Sequence, residues 1–161
     1  MIPAWGWIII AGAAILGVCA FLVPRLLRSW KAADEVRALQ RFSRQREELE
    51  AKFFQLAAAS GKPRGLRWTG CEWKQAVTFA RDVQSGLISA FVGIDIRFEA
   101  IEGGDMEEVA AVGDVRSASA VFHYQAGSWG TGGKALFNMP PDLAMERLAG
   151  QFTPIEHVSA E

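Results

Sequence analysis

The chain has 161 residues, half of them apolar and 22% charged, with a formal net charge of −1. This length suits one ordinary domain plus an additional segment. Two cysteines and two histidines are too few to predict a disulfide framework or a zinc site, and we find no catalytic motif. We therefore expect no metal, no cofactor and no catalytic residue.

The N-terminal segment is apolar and carries no charged side chain before Arg25. The stretch Ala4–Val23 is long enough for a helix to cross the hydrocarbon core of a bilayer, which is roughly 30 Å thick. A cleaved signal would begin with basic residues, and a lipoprotein signal would have a small residue, not Val18, before Cys19. We interpret residues 1–24 as a retained signal-anchor, a single transmembrane helix. The residues expected at the membrane interface are Trp5, Trp7, Arg25, Arg28, Trp30 and Lys31.

Charge divides the chain into two parts, because residues 1–65 carry a balance of +5 and residues 66–161 carry −6. The positive-inside rule predicts a cytoplasmic location for the part after the helix, with the opposite orientation left open. The basic juxtamembrane segment 25–65 is expected to contact anionic lipid headgroups, and the acidic part is not expected to bind nucleic acid. The predicted location is therefore the cell (inner) membrane.

A long helix is predicted over Trp30–Ser60, which is rich in good helix formers and contains no Gly or Pro. Gly61 and Pro63 would end it. One side of this helical stalk carries residues at alternating spacings of three and four. These are Leu39, Phe42, Arg46, Leu49, Phe53 and Leu56. The stripe is compatible with a short coiled coil in a homodimer, and the interpretation we favour is a helix packed on its own sheet.

Beyond an irregular connector at residues 61–73, the sequence period becomes that of strands. Four mostly antiparallel strands are predicted, followed by a short C-terminal helix from Pro140 to about Leu148. The strands are Ala76–Arg81, Leu87–Ala100, Val115–Gln125 and Lys134–Asn138. We thus expect an α+β domain over residues 66–154 and a frayed tail at 155–161. The order of elements resembles cystatin-like and nuclear transport factor 2-like sheets, without a shared motif.

Alternation is clearest in the second strand, where one face reads apolar and the other wetter. The apolar face comprises Ile88, Ala90, Val92, Ile94, Ile96 and Phe98. The other face comprises Ser89, Gly93, Asp95, Arg97 and Glu99, with Phe91 as an apolar exception. The acidic run around Gly103 is interpreted as a solvated loop because its spacing matches no calcium loop.

The candidate contact residues are Trp129, His123, Asp95 and Arg97. Trp129 lies in the loop GSWGTGGK, which fails the phosphate-loop pattern because Ala135 follows its lysine. A large aromatic side chain there suits a partner or ligand contact, or it folds back onto the sheet. His123 is predicted on a strand, either hydrogen-bonded locally or paired with Glu99 or Asp95.

The sequence predicts a non-enzymatic, membrane-anchored protein whose α+β domain binds a protein partner or takes part in envelope assembly. The alternative is a small-ligand-binding or weakly catalytic domain that uses the wetter face of the second strand. The expected partners are the lipid bilayer, anionic headgroups, and another protein or a second copy of the chain.

Overall fold

The computed structural model describes residues 33–61 and 63–155. The chain divides into two compact units, Met1–Leu39 and Gln40–Glu161. Of the first unit, only the helical residues 33–39 are described. No helix within the described ranges is long and apolar enough to cross a membrane. The predicted span 1–24, its interface residues and most of the predicted tail lie outside these ranges.

The second unit is an α+β fold with one mostly antiparallel six-stranded sheet. Helix α1 covers residues 33–59, of which residues 40–59 belong to this unit. The further elements are β1 (Leu66–Asp82), β2 (Ile88–Ala100), β3 (Arg116–Gln125), β4 (Ser128–Gly130), β5 (Ala135–Phe137), α2 (Pro141–Arg147) and β6 (Phe152–Pro154), with a 3-10 turn at Ala110–Gly113. The sheet order is β4-β3-β2-β1-β6, and β5 also pairs with β3. The fold class therefore agrees with the expectation from sequence at this level.

Residues 40–59 of α1 pack against rings of β1 and β3, on the face of the sheet that the apolar side chains of β2 share. Phe42, Leu49 and Phe53 of the helix stripe are buried. The Phe42 ring makes edge contacts with Phe79 and Phe122, with centroids 5.3 and 5.5 Å apart. Edge-to-face packing of this kind adds stability beyond the area buried. The stripe is thus used by the chain's own sheet.

The opposite face of the sheet has a second apolar cluster beneath α2. Phe91 belongs to it, together with Ala80, Val121 and Ala144, and the ring of Phe152 packs edge-on at 5.2 Å from Phe91. This cluster explains why Phe91 interrupts the polar pattern of β2. Both faces of β2 are therefore buried where α1 and α2 cover them.

The structure corrects several element boundaries. Residues 66–73, expected as an irregular connector, form the first half of β1, and two short strands, β4 and β6, were not predicted. Register shifts at Trp68/Gly70 and Trp73/Val77 break the alternation of β1, which removes its strand signal. β4 lies within the glycine-rich loop, and β6 is only three residues long and contains Pro154. Neither is long enough to show a period.

Candidate functional site

The four predicted contact residues lie in three different places. Asp95 and His123 lie on the face of the sheet that carries α2. In the β2–β3 ladder His123 pairs with Ser89, which is far from Asp95 along β2. Ser89 and Asp95 are separated by about 20 Å along β2, at roughly 3.3 Å per residue. The side chain of Trp129 belongs to the opposite, α1-covered face. The four residues are therefore not brought together in one cavity.

Asp95 and Arg97 belong to a row of charged pairs between β1 and β2. This row lies where β1 begins and β2 ends. Lys74 Nζ is 3.2 Å from Asp95, and Ser117 donates a 2.7 Å hydrogen bond to the same carboxylate. The Ser117 hydrogen bond, followed by Lys74, lowers the pKa of Asp95. Arg97 pairs with Glu72 at 2.5 Å. These groups satisfy one another, and exposed pairs of this kind contribute little stability.

His123 faces Ser89 across the β2–β3 ladder. Its Nδ1 is 3.1 Å from the Ser89 hydroxyl, while Ser89 itself is only 1% exposed. Partial burial of the imidazole lowers the pKa of His123, and the positive charge of Lys134 lowers it further. The negative charge of Asp82 has the opposite, smaller effect. A catalytic serine has to be reached by its substrate. His123 therefore forms a local hydrogen bond, one of the two arrangements that the sequence left open. The buried Ser89 hydroxyl is not accessible as a nucleophile.

Trp129 is 7% exposed and packs inside the α1-covered core. Its ring lies 4.9 Å from Phe42 and 5.3 Å from Tyr124. The two-residue turn at Ala126 and Gly127, both with positive φ, reverses the chain so that β4 pairs back onto β3. Of the two placements left open by the sequence, the indole takes the one folded back onto the sheet.

The first half of β1 is an open edge of the sheet, a feature that the sequence analysis missed. On the side away from β2, β6 pairs only with Ala80–Asp82. Residues 66–73 have no strand partner on that side among the described residues. Further along, the Arg46 guanidinium donates to the carbonyl oxygens of Lys74 and Gln75 at 2.5 and 2.8 Å, which ends the open stretch. We call residues 66–73 the open edge.

A cleft of about 210 Å³ opens at Leu66, where the open edge begins. It lies between the start of β1, the loop that follows β2, and β5. The lining includes two aromatic rings, those of Phe98 and Phe137, whose centroids lie 5.3 and 6.1 Å from that of the Trp68 ring. Apolar side chains form most of the lining. The lining residues are Pro63, Leu66, Phe98, Met106, Val109, Val112, Arg116, Phe137 and Asn138.

Neither the open edge nor the cleft has a motif that could have identified it. The one signal in the sequence was the composition of the segment after β2, in which valines are mixed with acidic residues. Across residues 33–61 and 63–155, no group of three His, Cys, Asp or Glu side chains could hold a metal ion. No known protein family, curated protein or solved structure matches the chain. The functional argument therefore depends on these surfaces.

Proposed function

We propose that this is a single-pass protein of the cell inner membrane whose α+β domain binds an extended segment of a partner protein. The observation that carries the proposal is the open edge, residues 66–73, which lacks a strand partner among the described residues. Main-chain N–H and C=O groups on such an edge are a template for a strand from another chain.

The side chains of the open edge favour a specific partner over indiscriminate pairing. Arg67 and Glu72 are exposed and charged, and each is held by a residue of β2. Charged side chains and register shifts are the devices by which native edges avoid aggregation. A partner strand must therefore tolerate this charge pattern and fit between the shifts.

The apolar segment 1–24 and the basic segment 25–65 support the membrane part of the proposal. The anchor would hold the domain close to the bilayer, where a basic stalk is attracted to anionic headgroups by about 1 kcal/mol per charge. We expect the full chain to stay in the membrane pellet after an alkaline wash, whereas a variant lacking residues 1–24 is released. Release of the full chain would contradict anchoring.

Site-specific photocrosslinking tests the interaction in membranes that contain the full chain. A benzophenone amino acid replaces Glu72 on the open edge, and the same amino acid at Gln84, in the exposed turn between β1 and β2, is the matched control. We expect an adduct of defined mass from position 72 only, identified by mass spectrometry. Equal adducts from both positions, or none from position 72, would reject the open edge as the binding surface.

A further inference from the structure

The cleft at Leu66 is lined mostly by apolar side chains, Arg116 is its one charged lining residue, and one of its walls belongs to an acidic loop. Val109 lines it while remaining 41% exposed, and Ile101 and Val115 nearby are 49% and 51% exposed. The loop 101–115 that forms one wall holds five acidic residues and no basic one. These are Glu102, Asp105, Glu107, Glu108 and Asp114, and all of them are exposed.

Most of this negative charge is available to a partner. Glu107 accepts a 2.9 Å hydrogen bond from the Gly103 amide, which stabilises the loop. None of the five carboxylates forms an ion pair with a residue in the described part of the chain. Carboxylates arranged in this way attract cationic groups and repel anionic ones over about one Debye length, roughly 10 Å at 0.1 M salt.

We propose that the cleft binds a partner segment that presents one or two apolar side chains flanked by Lys or Arg. The apolar side chains would fill the cleft, and the flanking cations would lie over the acidic loop. Asn138, a neutral polar member of the lining, can donate hydrogen bonds to main-chain carbonyls of the segment. This inference rests on the proposed interaction function and specifies the chemistry of its partner.

Size and charge favour a peptide over a lipid or a metabolite. Small-molecule sites commonly enclose about 300–1,000 Å³, and this cleft encloses about 210 Å³. An acyl chain with a carboxylate or phosphate head would place its negative charge beside the five carboxylates of the loop, against which the lining offers one cation, Arg116. The cleft is also continuous with the open edge through Leu66, so a strand added to that edge can extend an apolar side chain into it.

Two fluorescent peptides, KKLFLKK and EELFLEE, test the proposal with the full-length protein in detergent. They share the apolar centre and differ only in the sign of the flanking charge. We expect anisotropy to show saturable binding of KKLFLKK alone, with weaker binding at 0.5 M NaCl. Val109→Gln should weaken binding by roughly tenfold, the effect of losing one buried aliphatic contact.

Val83→Gln is the matched control, because Val83 is 60% exposed in the turn between β1 and β2 and should leave the affinity unchanged. Combined Glu102→Gln, Glu108→Gln and Asp114→Asn should weaken KKLFLKK binding several-fold at low salt and remove most of its salt dependence. Val109, Val83 and the three substituted carboxylates are all exposed. A urea midpoint close to that of the parent protein shows that each variant is folded.

Three outcomes would overturn the proposal: equal affinity for both peptides, no binding of KKLFLKK at 1 mM, or binding that Val109→Gln leaves unchanged. Saturable binding of decanoate that Val109→Gln abolishes, without peptide binding, would assign the cleft to a lipid and also reject the proposal. Crosslinking from Glu72 uses neither peptide, so these results leave the open edge to its own test.

Discussion

Arg46 is the polar member of the α1 stripe, and its guanidinium connects the helix to the register shift of β1. It pairs with Glu50 at 2.6 Å and donates to the carbonyls of Lys74 and Gln75. Arg46→Ala would leave a largely buried carboxylate and two carbonyls without this donor. We expect the free energy of unfolding to fall by about 2–3 kcal/mol, measured by urea titration with tryptophan fluorescence.

Two variants separate the geometry of Arg46 from its charge. Arg46→Lys keeps the charge but loses the planar fork that reaches several acceptors at once, so an intermediate loss of stability is expected. Arg44→Ala removes an exposed cation from the same helix and should change the free energy of unfolding by less than about 0.5 kcal/mol. Equal losses for Arg44→Ala and Arg46→Ala would contradict the connecting role.

Cys71, on the open edge, is the other residue whose chemistry is changed by its surroundings. Burial, followed by the nearby carboxylates of Glu50, Asp95 and Glu72, raises its pKa from 9.0 to about 12. In a Cys19→Ser variant at pH 8, we expect maleimide to react with the folded thiol on the order of a hundred-fold more slowly than with the unfolded chain. Equal rates would show that the thiol is neither buried nor opposed by charge.

The raised pKa of Cys71 also determines how the free energy of unfolding changes with pH. The folded chain holds the Cys71 proton more tightly than the unfolded chain, so its stability contribution is complete below pH 9 and declines as the pH rises from there toward 12. A comparison of urea midpoints at pH 8 and pH 10 for the parent and for Cys71→Ala isolates this contribution, because the variant lacks the titrating thiol.

At the scale of elements, α1 and the loop before β5 approach so closely that a side chain does not fit. A Cβ atom at Gly133 would lie 2.6 Å from the Ala57 nitrogen and 2.8 Å from the Leu56 carbonyl carbon, and φ there is +70°. Gly133→Ala should therefore destabilise the fold by about 2 kcal/mol or more. Gly132→Ala, which would meet nothing within 4 Å, is the control. Comparable thermal melting of both variants would disprove the close approach.

The sequence predicted those elements whose pattern is both long and periodic. β2 was predicted to within one residue, because alternation continues from Ile88 to Phe98, and α1 was predicted from composition and the terminal Gly61. The first half of β1 was not predicted, because its register shifts interrupt the alternation on which a strand prediction depends. A short strand without a period, such as β6, is defined by its pairing with distant residues of β1, which local sequence does not encode.

The surfaces proposed for binding were beyond sequence reasoning for a related reason. An open edge exists where a neighbouring strand ends, and among the described residues β6, which ends at Pro154, gives β1 no strand partner before Ala80. The cleft brings Leu66, Phe98 and Phe137 together from three separate strands. Trp129, selected for its size and its glycine-rich surroundings, is buried because the β3–β4 turn directs it toward Phe42. The open edge, the cleft and the burial of Trp129 thus depend on which strands pair with each other, and not on the residue types alone.

At the scale of the whole molecule, the basic residues after the proposed anchor predict which side of the membrane carries the domain. By the positive-inside rule, the Lys and Arg residues that follow residue 24 favour a cytoplasmic domain. Cys71 is a poor probe of topology because its raised pKa opposes labelling. Gln84, exposed in the turn after β1, is a better position for a single cysteine in a Cys19→Ser and Cys71→Ala background.

An impermeant maleimide applied to cells that express the Gln84→Cys chain distinguishes the two orientations. Because the reagent cannot cross the inner membrane, a cytoplasmic turn should be labelled only after that membrane is permeabilised. The same chain without the introduced cysteine should give no signal, and denaturation in detergent should label it fully in either orientation. Labelling of intact spheroplasts would place the domain on the outer side and reverse the positive-inside assignment. The open edge and the acidic cleft would then be available only to partners on that side.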